Sequence, residues 1–238
     1  MNTALDVAVW RGAEQGRFVS YVVPLRENQT VLDIVTYIQR HLDSTLSYRF
    51  SCRVGMCGSC AMTVNGVPRW TCRTHVRRVA TNSRLEIAPL RNMKVVKDLS
   101  VDMTGFFDKW ARAGGAFAPQ ETHSKDFAVV QPDSRARRQA DAGIECIGCG
   151  VCYAACDLVS WNADYLGPAA LNRAWTLVND VRDGARAQRL AAVAGDAGCH
   201  ACHSHQSCVQ WCPMELNPTS AIAGLKRATV GAALKGAL

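Results

Sequence analysis

The sequence predicts an α+β chain of two domains, a sheet-built N-terminal domain over 1–104 and an all-α C-terminal domain over 105–238. Three observations predict it. Strand-like alternation fills the chain up to Pro89, whereas helical spacing dominates beyond residue 104. Cysteines gather in separate runs, one in the first part and two in the second. Gly114–Ser124, with its Gly, Pro and polar residues, has the composition of a surface loop just past the boundary.

Asp6–Arg11 and Arg17–Val23 read as two strands joined by a turn around Gly12–Gly16. Thr30 precedes Val31, Leu32, Ile34, Ile38 and Leu42, with Asp33 three positions on, which predicts an N-capped amphipathic helix of about twelve residues. Ala61–Val64 and Pro68–Thr71, separated by Asn65-Gly66, form a hairpin, and Arg84–Pro89 closes the sheet. Strand, strand, helix, cysteine loop is the order of a β-grasp. In the second part, helices are predicted around Met103–Ala113, from Arg135 into the next cysteine run, over Pro168–Val181 and over Ala187–Ala194. Pro218–Leu238 reads as a terminal helix with Ile222, Leu225, Val230 and Leu234 near one face.

The cysteine spacings carry the chemistry. Cys52, Cys57 and Cys60 follow C-x4-C-x2-C, the plant-type 2Fe-2S signature, and the hairpin brings Cys72 back as the fourth ligand. Gly55 and Gly58 let the backbone close over the cluster. Cys146, Cys149, Cys152 and Cys156 follow C-x2-C-x2-C-x3-C, the run of bacterial ferredoxins, whose fourth cysteine ligates the other cluster. The partner run is Cys202-His203-Ser204-His205-Gln206-Ser207-Cys208, then Cys212-Pro213. Crossing the pairs gives Cys146, Cys149, Cys152 and Cys212 for a 4Fe-4S cluster. It leaves only Cys156, Cys202 and Cys208 for a third, which predicts 3Fe-4S. His205, or Cys199 one C-x2-C step upstream of Cys202, is the alternative fourth ligand. A zinc ribbon would need C-x2-C pairs in fours, a pattern these interlocked runs do not follow.

Composition bounds the remaining classes. Twelve cysteines behind an N-terminus without the pattern of a signal peptide argue for metal rather than disulfides, in a reducing compartment. No run of eighteen apolar residues offers a membrane span. The formal charge of +7 is a counter-field for the clusters, which at about −2 each would bring the loaded protein to about +1. Arg135-Ala-Arg137-Arg138 reads as a solvated helix face, and no nucleic-acid partner is expected. No constellation suited to acid–base or nucleophilic chemistry occurs, so no catalytic residue is assigned.

Plant-type and bacterial-type motifs in this order resemble the iron–sulfur subunit of succinate dehydrogenase and fumarate reductase. The likeness runs from about residue 5 to 228 and includes Ser51-Cys52-Arg53, Arg91-Asn92, Gly167-Pro168-Ala169-Ala170 and Cys212-Pro213. It implies a flavoprotein partner with covalent FAD that interconverts succinate and fumarate. It also implies a membrane-anchor partner that binds quinone, with or without haem b. The chain would sit peripherally at the cytoplasmic face of the inner membrane, relaying electrons in the order 2Fe-2S, 4Fe-4S, 3Fe-4S. Ser160-Trp161 stands where the family has a tryptophan pair near quinone, and His203 matches a histidine there. The resemblance thus implies Trp161, His203 and Ser160 as quinone contacts. Asp157 follows Cys156 where the family commonly has proline. The alternatives are a relay for a different flavoprotein dehydrogenase and a zinc-stabilised interaction module, which would be colourless.

Overall fold

The structure is a computed structural model and describes residues 4–120 and 127–238. The end of the predicted surface loop, 121–124, lies outside the described residues. The chain divides into two compact units. One takes the residues up to Met103 together with Ile147–Ala155, and the other takes Thr104–Cys146 and Cys156–Leu238. The change at residue 104 coincides with the compositional one. The return of 147–155 to the first unit differs from a single cut, because long-range packing rather than composition decides it.

The first unit holds β1 (Ala4–Arg11), β2 (Arg17–Pro24), α1 (Val31–Tyr37), β3 (Ala61–Val64), β4 (Val67–Trp70), α2 (Val76–Val79) and β5 (Arg84–Ala88), then the small hairpin β6 (Val95–Lys97) and β7 (Ser100–Val101). The main sheet runs β2-β1-β5-β3-β4, with β1 and β5 parallel and the other pairs antiparallel. This is the expected β-grasp. Alternation aims Leu5, Val7 and Val9 of β1 and Leu85 and Ile87 of β5 to one face, in the register Val7↔Leu85 and Val9↔Ile87. Over that face α1 lays Val31, Ile34 and Val35. Its start is the predicted capping box: Thr30 Oγ1 accepts the Asp33 N–H and Asp33 caps the Thr30 N–H. The last turn, Ile38–Leu42, widens to a π-helix, so the whole spans the twelve residues foreseen. Asn65 and Gly66 both take positive φ, 47° and 77°, as a two-residue hairpin turn requires.

Asp98 fastens the open end of the sheet. Almost fully buried, it accepts from Arg11 Nε at 3.1 Å and from the N–H groups of Gly12 and Ser47 at 2.8 Å each. Neither the β6–β7 hairpin nor α2 has a local signature strong enough to be read from sequence.

The chain continues through α3 (Thr104–Arg112), α4 (Arg135–Ile144), α5 (Val151–Ala154), α6 (Asp157–Trp161), α7 (Pro168–Val178), α8 (Arg186–Val193), α9 (Ser207–Gln210) and α10 (Pro218–Ala233). All but α5 belong to the second unit, whose centre is α7. Pro168 occupies its first turn, where a missing N–H costs nothing. Leu171, Ala174, Leu177 and Val178 are buried among α3, α4, α8 and α10. Trp175 Nε1 and Asn172 Nδ2 donate to the carbonyls of Gln139 and Gly143, tying α7 to α4. Gly224 of α10 is a glycine because any Cβ would meet the Trp175 ring at 2.5 Å. The two terminal overruns in the predicted helices, Val181 and Leu238, are ends where helical pattern outlasts packing. Among the described residues no helix is long and apolar enough to cross a membrane.

Candidate metal centres

The first cysteine loop is shaped around sulfur. Cys52 Sγ accepts the N–H groups of Met56 and Cys57, each at 3.3 Å. These donors, Met56 first, with Val54 and the Cys57 thiol, lower the Cys52 pKa to about 6. Arg73 Nη2 donates to the Val54 carbonyl at 3.0 Å and straps the loop down. Gly55, at φ 77°, leaves the space in which Trp70 stands. Cys60 and Cys72 are buried under Leu32 with Tyr48 and Trp70. The Thr71 hydroxyl and N–H both donate to the Cys60 carbonyl, so the cysteines that begin and end the β3–β4 hairpin are fixed as a pair. Burial and the neighbouring Cys60 push the Cys72 thiol up to about 11. The structure therefore brings Cys52, Cys57, Cys60 and Cys72 together. The rim is exposed and apolar: Phe50, Val54 and Met56, with the Arg53 guanidinium 4.6 Å from the Phe50 ring centroid.

The second predicted set is divided between the units. Cys149 and buried Cys152 belong to the first, Cys146 and Cys212 to the second. Gly148 and Gly150, at φ 63° and 78°, fold the run around Cys149.

The third set lies wholly in the second unit. Cys156, Cys202 and Cys208 line one cavity with Tyr165, His203 and His205. Cys156 precedes α6 and its sulfur faces the N–H groups of Leu158 and Val159. Left-handed backbone at Ser204 and Gln206, φ 61° and 65°, curls the loop, and Ser204 N–H donates to Cys202 Sγ at 3.4 Å. Cys208 Sγ stands 3.4 Å from Thr219 Oγ1 on α10. Burial raises the Cys156 thiol pKa and pushes that of Cys208 up to about 11.

Tyr165 was absent from the residues singled out by spacing. Its side chain is fully buried, and its hydroxyl faces the Cys202 sulfur without a hydrogen bond of ordinary geometry to any described residue. Burial raises its pKa, and the Cys202, Cys156 and Cys208 sulfurs, as thiolates, add to the effect. A buried hydroxyl left unpaired costs about 1–3 kcal/mol. A sulfur-rich inorganic centre held by the three cysteines would supply the acceptor it lacks, so the residues fit such a group. Nothing in the local sequence marks Tyr165 apart from ordinary core.

Three exposed residues adjoin this cavity. Trp161 is 70% exposed, and its ring meets His205 edge-on at 6.3 Å. The His205 ring in turn stands 6.3 Å from that of His203. Ser160, also named from sequence, donates its hydroxyl to the Asp157 carbonyl at 2.9 Å within its own helix. Cys199 does not line the cavity; it is fully buried, 3.9 Å from Thr229 Oγ1. Lys226 Nζ donates to the Cys202 carbonyl at 2.6 Å, placing a cation behind one of the three sulfurs. Among the described residues no three His, Cys, Asp or Glu side chains are gathered around one point as a single metal ion needs. Thiolates around a polynuclear centre stand farther apart than the ligands of one zinc.

Two family models match the chain. One, described as a 2Fe-2S iron-sulfur cluster binding domain, covers residues 6–108, and the other, a 4Fe-4S dicluster domain, covers 145–217. The succinate dehydrogenase (ubiquinone) iron-sulfur subunit 2, mitochondrial, of Oryza sativa subsp. japonica is 38% identical over 199 residues, spanning 82% of this chain and 63% of that protein. The fumarate reductase iron-sulfur subunit of Mycobacterium tuberculosis is 34% identical over 221 residues, 92% of this chain and 88% of that one. Among solved structures, a chain of the Mycobacterium smegmatis Sdh1 complex in the apo form superposes with a TM-score of 0.86 at 24% identity, over 97% of both chains. That likeness is one of fold.

Proposed function

Since the chain belongs to the family of succinate dehydrogenase and fumarate reductase iron–sulfur subunits, we propose that it relays single electrons between an FAD-bearing flavoprotein subunit, where succinate and fumarate interconvert, and membrane quinone. The ligand sets are Cys52, Cys57, Cys60 and Cys72 for 2Fe-2S, then Cys146, Cys149, Cys152 and Cys212 for 4Fe-4S. Cys156, Cys202 and Cys208 hold 3Fe-4S. When bound, the clusters supply one-electron redox chemistry. The chain's own residues position them, direct N–H and O–H donors at sulfur, and exclude water.

The observation that carries this reading is the third cavity, with three cysteines, a buried hydroxyl lacking a hydrogen bond of ordinary geometry, and exposed Trp161 and His203 next to it. An aromatic ring and a polar ring in such a position suit a flat quinone that must receive electrons from the adjacent centre. Ser160 belongs to the same exposed end of α6. The flavoprotein is the partner at the opposite end of the relay, where the apolar rim of Phe50, Val54 and Met56 surrounds the first loop. The quinone, with or without haem b, is held by a membrane-anchor subunit, through which this chain attaches peripherally to the cytoplasmic face of the inner membrane.

The test is Trp161→Ala in the assembled complex. Quinone reduction should slow, while succinate oxidation with an artificial acceptor is retained. Equal loss in both assays would remove Trp161 from the quinone site.

A further inference from the structure

Gly58 lies between Cys57 and Cys60, and its backbone rests directly on Cys149. A methyl group at Gly58 would fall 2.4 Å from Cys149 Cβ, 2.8 Å from its Cα and 3.4 Å from its amide nitrogen. Carbon atoms in contact stand about 3.5–4.0 Å apart, so no side chain fits. The atoms in the way are at the root of Cys149 and cannot swing aside as the tip of a flexible side chain would. Both residues belong to the first unit. There the segment 147–155 is held from several directions. Asn92 Nδ2 donates to the Tyr153 carbonyl at 3.1 Å, and Gly150 packs on Met93, Met103 and Leu90. Val151, Tyr153 and Ala154 are buried.

We propose that Gly58 is the bridge by which electrons cross from the 2Fe-2S loop to Cys149, and that its missing side chain sets the length of that crossing. The inference rests on the ligand sets proposed above. Electron tunnelling decays much more steeply across a non-bonded gap than along covalent bonds. From the Cys57 sulfur the covalent route follows the peptide into Gly58. One van der Waals jump then reaches Cys149 Cβ, which carries the receiving sulfur. In the step itself the reduced 2Fe-2S centre loses one electron and the oxidised 4Fe-4S centre gains it, with no bond made or broken and no proton required. A side chain at position 58 would force the two backbones apart where the route has its only gap.

Gly58 also has φ 69°, a conformation that itself favours glycine. Gly66 separates the two effects, because it has φ 77° and nothing within 4 Å of a Cβ. The experiment compares Gly58→Ala, Gly66→Ala and Asn92→Ala in the assembled complex, with iron content and EPR spectra as the check on loading. The readout is the microwave power that saturates the 2Fe-2S signal, with the second cluster first oxidised and then reduced, since a nearby paramagnet speeds spin relaxation. The parent protein should show that enhancement and Gly66→Ala should keep it. Gly58→Ala should lose much of it and pass electrons onward more slowly. Asn92→Ala, which removes the bond that holds the Tyr153 carbonyl of the 147–155 segment, should lose part of it, and it decides the matter if Gly58→Ala fails to load. A loaded Gly58→Ala protein with undiminished enhancement overturns the bridge, as does an undiminished Asn92→Ala protein where only that one loads. Absence of the enhancement in the parent protein would instead overturn the ligand sets.

Discussion

Replacing Tyr165 by Phe keeps the ring that fills the core and removes only the hydroxyl that faces the third set of cysteines. The side chain is fully buried and the hydroxyl has no hydrogen bond of ordinary geometry to any described residue. Two consequences of opposite sign follow. In protein without the third cluster, the variant escapes the cost of about 1–3 kcal/mol for a buried unpaired hydroxyl, so its thermal unfolding should shift upward. With the cluster bound, the hydroxyl donates to sulfur and favours the reduced, more negative state. If that preference is about 1 kcal/mol, its loss lowers the reduction potential by about 40 mV, since 59 mV corresponds to tenfold for one electron. An EPR-monitored redox titration of the oxidised three-iron signal reads the shift directly. A potential that stays put or rises would refute the assignment of Tyr165 as a donor to this centre.

The ligand partition predicts that Cys208→Ser abolishes the three-iron EPR signal while the 2Fe-2S signal survives, and that His205→Ala leaves a three-iron centre. A change from four irons to three in the second variant would make His205 a ligand. The buried pair of Arg189 with Asp183 makes a separate prediction. Asp183 is nearly inaccessible, and Arg189 reaches it at 2.5 and 3.0 Å while also donating to the Ala116 carbonyl. Burial alone would raise the Asp183 pKa, but Arg189 and the N–H groups of Ala118 and Ala185 outweigh it and hold it below the usual value. A depressed folded pKa contributes stability above the unfolded value of about 3.9, and that stability is lost as pH falls through the folded pKa. Asp183→Asn should therefore cost about 3–5 kcal/mol near neutral pH by leaving the Arg189 charge buried without a counter-ion, and flatten the acid limb of the stability curve followed by circular dichroism.

What the sequence makes legible is whatever a cluster or a turn dictates over a few residues. Cysteine spacing reflects how one loop wraps a small inorganic centre, so Cys52, Cys57, Cys60 and Cys72 could be grouped before any coordinates, and the structure brings them together. The Thr30–Asp33 box and the Asn65-Gly66 turn are local for the same reason. Tyr165 was not legible, because a tyrosine in a core and a tyrosine aimed at sulfur look alike in one dimension. Nor was the placement of Ile147–Ala155, which depends on partners such as Asn92 and Met93 more than fifty positions earlier. Cys199 shows the converse. Its C-x2-C step to Cys202 makes it a spare ligand on paper, yet the fold sets it against Thr229, outside the lining of the third cavity.

The cysteine environments also differ in how ready they are to act as thiolates. Cys52 sits at an exposed loop whose N–H groups already point at its sulfur, and its pKa of about 6 leaves it ionised near neutral pH without help from iron. Cys208 is buried and held up at about 11, so it stays a neutral thiol until a cation compensates the charge. Cys72 shares that condition within the first set. The first and third sets thus pair burial, which shields the centre from water and favours sulfur ligation, with donors that must offset the negative charge: Met56 and Cys57 N–H in the first, Ser204 N–H and Thr219 in the third. The third set has the fewest sulfurs, with Cys208 buried and Cys156 and Cys202 half-buried. It is there that the chain adds a phenolic hydroxyl, and Lys226 held against the Cys202 carbonyl, as further positive potential. A centre that must take an electron readily, as the proposed relay asks of the third, is favoured by such surroundings, because every donor aimed at it stabilises the extra negative charge.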